Sequence, residues 1–168
     1  MNGFPNLSFE ELLLIVSIGL LIVISLQSIF LYIKRDERIT IFFRHVSGFI
    51  VGLIDQTFMV IFNFQPTFSA VVVLFDYVAY GCWFMLMPNF LILKNKKLYI
   101  PLWILSSGAF NTLFEHGAWF ILFGYLPYPT EPIVWTSFHT VIFYLGTHTI
   151  GTLIILIGFK IELSKRNY

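Results

Sequence analysis

Charge and cysteine are both scarce in this chain of 168 residues. Charged residues make up 11%, whereas soluble domains carry about 25%, and the mean hydropathy is +0.84. The single cysteine, Cys82, excludes an internal disulfide and a cysteine-based zinc cluster. A net charge of +1 gives no reason to expect a nucleic-acid partner. The composition therefore predicts an integral membrane protein in contact with the lipid bilayer.

Apolar runs long enough to cross a bilayer, which takes about 20 residues, recur along the chain. Five spans are predicted, at 12–33, 39–62, 68–91, 100–124 and 135–159. Ser8 and Glu11 form a capping-box pattern before the first run. Because no basic segment precedes that run, we expect a retained span and not a removable signal peptide. The predicted fold is all-α, with five transmembrane helices in one bundle that forms a single polytopic domain over residues 1–168.

The basic residues predict the orientation of this multi-pass protein. All ten Lys and Arg residues lie in or beside the first loop, the third loop and the C-terminal tail, at positions 34, 35, 38, 44, 94, 96, 97, 160, 165 and 166. Lys and Arg are enriched in cytoplasmic loops. With five spans, the N-terminus is predicted outside and the C-terminus in the cytoplasm. Gly48 and Gly52 offer a small-residue face for a homo-oligomer or a larger membrane complex.

An acid and a base, Glu115 and His116, interrupt the otherwise apolar stretch 108–124. A charged side chain at the centre of a membrane costs at least about 2.5–3.5 kcal/mol, so it usually faces protein or trapped water. Asn111 lies one helical turn before Glu115 and shares its face. The stretch therefore predicts a buried polar site.

Counting from the cytoplasmic end of each span puts three acids at one depth. Asp55, Asp76 and Glu115 each lie roughly 21 Å from that end at the helical rise, which is in the outer half of the bilayer. His148 lies roughly 5 Å below them, and His139 lies towards the outer surface. Several ionised carboxylates cannot stay unpaired in a low dielectric. We expect them to be protonated, paired with histidine or bound to a cation.

Eight residues are the candidates for this site. The predicted catalytic groups are Glu115, His116, Asp76 and Asp55. The predicted ligand-binding groups are Asn111, His148, His139 and Tyr80. The alternative is that these side chains only join helices through hydrogen bonds worth roughly 0.6 kcal/mol each. His45, beside Arg44, is expected at the lipid headgroups.

Acid–base chemistry on a small or lipophilic ligand, such as a lipid or isoprenoid, is the leading interpretation. A desolvated carboxyl group can hold a proton at neutral pH and donate it, while a histidine or second carboxylate accepts one. In helix number and intramembrane acids, the chain resembles the small membrane isomerases and sterol-binding proteins of EXPERA architecture. That resemblance implies isomerase-like chemistry, although no motif of the family matches residue by residue.

Three other functions stay open. The first is a metal- or haem-binding subunit of a membrane redox or monooxygenase complex, since His and carboxylate oxygens suit zinc, copper or iron. Residues 117–128 resemble a short stretch in the A subunit of archaeal ammonia monooxygenase, and 146–152 is similar to a segment of cytochrome oxidase subunit III. The second is a proton or cation pathway, and the third is a non-catalytic accessory subunit. The sequence names no cofactor or metal, and it leaves open whether the protein is an enzyme.

Overall fold

A computed structural model describes residues 8–62, 68–87, 96–123 and 137–166. Within these segments the side chains at 9, 96, 112, 114–123, 137, 138 and 140 lie outside the described set. The described residues form five α-helices and no strand. The helices are α1 (Phe9–Arg35), α2 (Arg38–Ile61), α3 (Ala70–Met85), α4 (Lys96–Phe123) and α5 (Ser137–Arg166).

Three stretches of the described helices are long and apolar enough to cross a membrane. They are Glu10–Arg35, Arg38–Ile61 and Val141–Arg166, with mean hydropathies of 2.6, 1.2 and 1.8. Ala70–Met85 is a shorter apolar helix. Because a membrane span needs about 20 mainly apolar residues, these helices indicate a membrane protein, as the composition predicted.

The first helix begins and ends with specific caps. The Ser8 hydroxyl accepts from the Glu11 backbone N–H at 3.3 Å, and Glu11 Oε2 accepts from the Ser8 N–H at 2.7 Å. This is the predicted capping box, which satisfies two backbone donors that the helix itself leaves unpaired. At the other end Asp36 adopts the left-handed conformation, with φ 52° and ψ 43°. Asp tolerates this conformation better than most residues, so the chain turns into α2 within two residues.

The helices do not pack in chain order. α3 packs against α1 and α2, α2 packs against α5, and α5 packs against α4. The main core cluster lies where α2, α3 and α5 meet, around Val51, Phe84 and Ile155, each 0% exposed. A smaller cluster between α1 and α3 contains Ile24 and Met85. α2 and α3 are therefore central, and side chains from both face α5.

Glycines bring the backbones of α2 and α3 close together. A Cβ added at Gly48 would lie 2.7 Å from Gly81 Cα, and one added at Gly52 would lie 2.9 Å from the Tyr77 backbone nitrogen. Small residues allow this approach between membrane helices. The face predicted for an oligomer contact is thus covered by α3 of the same chain. An oligomer formed through another surface stays a prediction.

Charged side chains join α5 to the turn between α1 and α2. Glu162 accepts from the Ile39 backbone N–H at 3.3 Å and from the Thr40 N–H at 2.9 Å. These are first-turn donors of α2, whose own N-cap residue makes no side-chain capping bond. Arg166 donates to the Arg35 carbonyl at 3.0 Å. The end of the bundle where α1 and α5 terminate is called the basic end below.

Arg44 lies inside the bundle near the basic end. Its guanidinium is 0% exposed and donates to Glu37 at 3.3 Å and to the Met87 carbonyl at 3.1 Å, and it also donates to the Phe84 carbonyl. A buried charge is tolerated only when it is paired and hydrogen-bonded. Arg44 therefore ties the start of α2 to the end of α3.

Candidate functional site

A hydrogen bond between α2 and α3 holds one of the predicted acids. The Tyr80 hydroxyl donates to Asp55 Oδ2 at 2.6 Å. Tyr80 is buried and Asp55 is half-buried. A hydroxyl donor to a carboxylate makes a short, charge-assisted bond. The close approach of α2 and α3 at Gly48 and Gly52 brings the two side chains within reach.

A second pair joins α4 and α5. Asn111 Nδ2 lies 2.6 Å from His148 Nε2, and His148 is 0% exposed. With the Asn111 amide as donor, Nε2 is the acceptor and the neutral ring carries its proton on Nδ1. Among the residues that the structure describes, His148 Nδ1 has no hydrogen-bond partner. Asn111 therefore fixes the Nε2 side of this buried ring, and Nδ1 is available to bond to a ligand or to water.

Aromatic packing brings the two pairs together. The Tyr80 ring meets the His148 ring edge-on, with 6.0 Å between centroids. Phe84 packs on His148 at 5.4 Å in the same T-shaped manner. The group formed by Asp55, Tyr80, Asn111 and His148 is called the Asp55 cluster below. It takes one side chain from each of α2, α3, α4 and α5.

The structure describes the side chains of two of the other four predicted site residues. Asp76 is half-buried on α3, and a Cβ added at Gly52 would lie 3.1 Å from Asp76 Cβ. His139 is exposed in the first turn of α5. Glu115 and His116 belong to α4, and their side chains lie outside the described residues. Their roles, and the common depth of the three acids, stay predictions.

The structure also contains a polar bridge that the sequence did not indicate. His45 Nε2 lies 3.0 Å from Ser28 Oγ, and His45 Nδ1 lies 2.9 Å from the Tyr77 hydroxyl. Ser28 also donates to the Ile24 carbonyl at 2.8 Å. A single direction of donation, from Tyr77 through His45 and Ser28 to Ile24, satisfies all of these groups. The bridge therefore joins α1, α2 and α3, instead of reaching the headgroups as the sequence suggested for His45.

Metal binding has limited support within the described residues. They contain no group of three or more His, Cys, Asp or Glu side chains placed to hold a metal ion. Asp55 and His148 offer one oxygen and one nitrogen donor type in the same cluster. The side chains of Glu115 and His116 fall outside that search, so a metal site that includes them stays a prediction.

A groove lies on the bundle away from the Asp55 cluster. It measures about 470 Å³, and its walls come from the ends of α1 and α3, including Phe30, Leu31 and Leu86, with Arg35 at its basic end. None of the six predicted site residues whose side chains the structure describes lines it. The groove and the cluster are therefore separate features.

Comparisons with protein-family models, with curated proteins and with solved structures gave no match. They lend no support to the resemblances drawn from helix number and from the two short segments. The geometry of the Asp55 cluster is therefore the main indication of function.

Proposed function

We propose that the Asp55 cluster binds a small or lipophilic ligand and exchanges protons with it. The observation that carries this proposal is the state of His148. Its ring is wholly buried, Nε2 is held by Asn111, and Nδ1 has no partner among the described residues. An unpaired buried donor costs about 1–3 kcal/mol. Such a cost is expected where a bound molecule meets the group.

The cluster contains the groups that acid–base chemistry requires. The His148 ring can donate a hydrogen bond from one nitrogen and accept one at the other, and Asp55 is linked to Tyr80, whose ring touches His148. The proposed role of His148 is to orient the ligand by donating a hydrogen bond from Nδ1–H. Asp55, held by the Tyr80 hydroxyl, is proposed to give the proton to the ligand or to take it up. Isomerase-like chemistry on a lipid or isoprenoid is the leading form of this proposal.

We also propose that all five helices cross the membrane, with the N-terminus outside and the C-terminus in the cytoplasm. α4 contains 28 residues, which gives roughly 42 Å of helix. The contact of Arg166 with Arg35 supports placing the turn between α1 and α2 on the same side of the membrane as the end of α5. Under this arrangement Asp55, Tyr80 and His148 lie at the middle or in the outer half of the bilayer.

The test is a search for a ligand that co-purifies with the chain. The protein is purified in lipid nanodiscs, and bound compounds are compared by mass spectrometry with an extract of the same membranes. We expect one compound to be enriched in the wild type and to fall at least fivefold in His148→Gln and in Asp55→Asn. Thr149→Val is the matched control, because its hydroxyl is bonded to the Leu145 carbonyl within α5.

Three results would contradict the proposed function. They are the absence of any enriched compound, equal enrichment in wild type and both variants, and an equal loss in Thr149→Val. Proton flux in protein-containing liposomes without a ligand would instead support a pathway. Co-purification of a larger complex that forms equally well with wild type and with Asp55→Asn would support an accessory subunit.

Glu115 is proposed to complete the same site, because it lies one turn from Asn111 on α4. Glu115→Gln keeps the size and removes the charge. We expect normal expression and loss of the ligand or activity. If Glu115→Gln expresses and retains both, the proposed role of Glu115 is wrong, while the role of His148 is judged by its own variant.

A further inference from the structure

Several wholly buried side chains near the Asp55 cluster have polar atoms without a partner. Ser47 Oγ, Ser107 Oγ, Thr152 Oγ1 and His148 Nδ1 make no hydrogen bond to any residue that the structure describes. Each of these four residues is 0% exposed. Together they are called the hydroxyl seam below. Native proteins rarely leave buried polar atoms unpaired, so a group of four requires a common explanation.

The seam leads away from the Asp55 cluster towards the basic end. Thr152 lies one turn beyond His148 on α5, which ends at Arg166. Ser47 reaches the same level from α2, because a Cβ added at Gly151 would lie 2.7 Å from Ser47 Oγ. Ser107 lies one turn from Asn111 on α4. Three helices thus contribute to the seam.

Polar groups continue along α2 from the seam to the basic end. Ser47, Arg44 and Thr40 follow one another on the buried face of α2, at steps of three and four residues. Thr40 is bonded to Glu162, and Arg44 is paired with Glu37. The charge of Arg44 is therefore balanced by a neighbouring carboxylate. This face of α2 offers hydrogen-bonding groups from the cluster to the end of the bundle.

Water is the ligand that suits such a seam. Buried water typically makes about three hydrogen bonds to polar groups that protein atoms leave unsatisfied. Hydroxyl groups and an imidazole can each donate or accept, so water can satisfy all four in either direction. The apolar part of a ligand would leave the three hydroxyls unpaired and would not remove the energetic cost. His148 Nδ1 lies where the seam meets the Asp55 cluster, so it bonds to water when no polar group of a ligand occupies the cluster.

We propose that the hydroxyl seam holds ordered water and that the Asp55 cluster exchanges protons through it with the basic end. The direction of proton exchange rests on the proposed function of the cluster. The proposal that water is present does not rest on that function, since it is argued from the unpaired buried atoms alone. The two are therefore tested by different measurements.

Cysteine reactivity tests whether water reaches the seam. Thr152→Cys and Ser47→Cys are made in a Cys82→Ala background and treated with a small, charged, membrane-impermeant methanethiosulfonate. The control is Ile155→Cys, because Ile155 is 0% exposed in the apolar core and nearer to the basic end than Thr152. Lys160→Cys, at an exposed position, identifies the side that carries the basic end.

We expect both seam cysteines to react at least tenfold faster than Ile155→Cys when the reagent is added on the side of the basic end. Rates no faster than that of Ile155→Cys from either side would overturn the hydrated seam. Reaction only from the opposite side would overturn the proposed direction. Neither rate depends on whether a lipophilic ligand is found, so failure of the proposed function is recognised separately.

Thermal unfolding provides a second measurement that needs no cysteine. In a dry seam, Thr152→Val would remove an unpaired hydroxyl at nearly constant volume and raise the Tm. In a hydrated seam the same change breaks bonds to water, so we expect a lower Tm. Thr152→Ser keeps the hydroxyl, so its Tm should fall less than that of Thr152→Val. A Tm above the wild-type value for Thr152→Val overturns the proposal even if the cysteine variants fail to fold.

Discussion

At the scale of single residues, Tyr80 is the side chain that links the two halves of the Asp55 cluster. Its hydroxyl is bonded to Asp55 on α2, and its ring packs against His148 on α5. The two contacts use different parts of the side chain, so one can be removed without the other. That separation makes Tyr80 the most informative position in the cluster.

Tyr80→Phe removes the hydroxyl and keeps the ring. We expect the free energy of unfolding to fall by about 1–3 kcal/mol, because the half-buried Asp55 carboxyl group loses its only described side-chain donor. Thermal or denaturant unfolding in nanodiscs measures the change. Tyr32→Phe is the matched control, since Tyr32 is exposed on α1. Equal stability of the two variants would contradict a stabilising role for the Tyr80–Asp55 bond.

Sequence reasoning found the members of the Asp55 cluster more readily than their pairing. Asp55 and His148 stood out because polar groups are costly in an apolar run, and Asn111 because helical spacing links it to Glu115. The pairing of Asn111 with His148 depends on how α4 meets α5, which no local pattern contains. His45 was misjudged for the same reason, since its partners come from α1 and α3.

At the scale of helices, α2 combines close backbone contact with a polar buried face. Gly48 and Gly52 touch α3, whereas Thr40, Arg44 and Ser47 are buried nearer the basic end. The apolar sequence of a span predicts that it is a helix, but both roles require partners from other helices. α2 is therefore the element on which the cluster and the seam both depend.

Gly48→Ala tests the contact between α2 and α3. The added Cβ would lie 2.7 Å from Gly81 Cα and 2.8 Å from Gly81 N, both backbone atoms that cannot rotate away. We expect a loss of about 1–3 kcal/mol in stability, as for other overpacked cores. Gly146→Ala is the control, because its Cβ would meet no atom of the described residues within 4 Å. A Gly48→Ala protein as stable as Gly146→Ala would refute this close packing.

Helix boundaries differ from the predicted spans for a physical reason. The fifth span was predicted to end at residue 159, but α5 continues to Arg166. Hydropathy marks where apolar side chains stop, whereas a helix stops where its backbone loses partners. Glu162 and Arg166 have partners at the α1–α2 turn, so the charged tail stays helical.

At the scale of the whole molecule, the sequence does not reveal which helices pack against one another. α3 lies between α1 and α2, although α1 and α2 are joined by a two-residue turn. The sequence marks apolar stretches as candidate spans and shows which loops are basic. The sequence does not specify which apolar helix faces pack together, because Leu, Ile and Phe pack against one another with little selectivity.

The proposed topology predicts which introduced cysteines react on the same side. In a Cys82→Ala background, Lys97→Cys and Lys165→Cys should react with an impermeant maleimide from the cytoplasm, and Ser8→Cys from outside. All three positions are exposed. Thr130→Cys tests α4, since a fourth crossing would put it on the same side as Ser8. If Thr130→Cys reacts from the side of Lys97→Cys, α4 does not cross.

The basic end predicts that the last turns of α5 stabilise the whole bundle. A chain that ends at Lys160 loses Glu162, which caps the first turn of α2 through Ile39 and Thr40, and Arg166, which binds the Arg35 carbonyl. Hydrogen bonds to charged groups contribute about 1.5–3 kcal/mol each. We expect this chain to unfold at a distinctly lower temperature than wild type.

A chain that ends at Arg166 keeps both residues and is the matched control, with an expected change within about 0.5 kcal/mol. Glu162→Gln separates charge from capping, because the amide oxygen can still accept from Thr40 while the carboxylate interaction with the helix N-terminus is lost. Its stability should therefore lie between those of the two shortened chains. If the chain ending at Lys160 unfolds at the same temperature as the chain ending at Arg166, the end of α5 does not hold the bundle together.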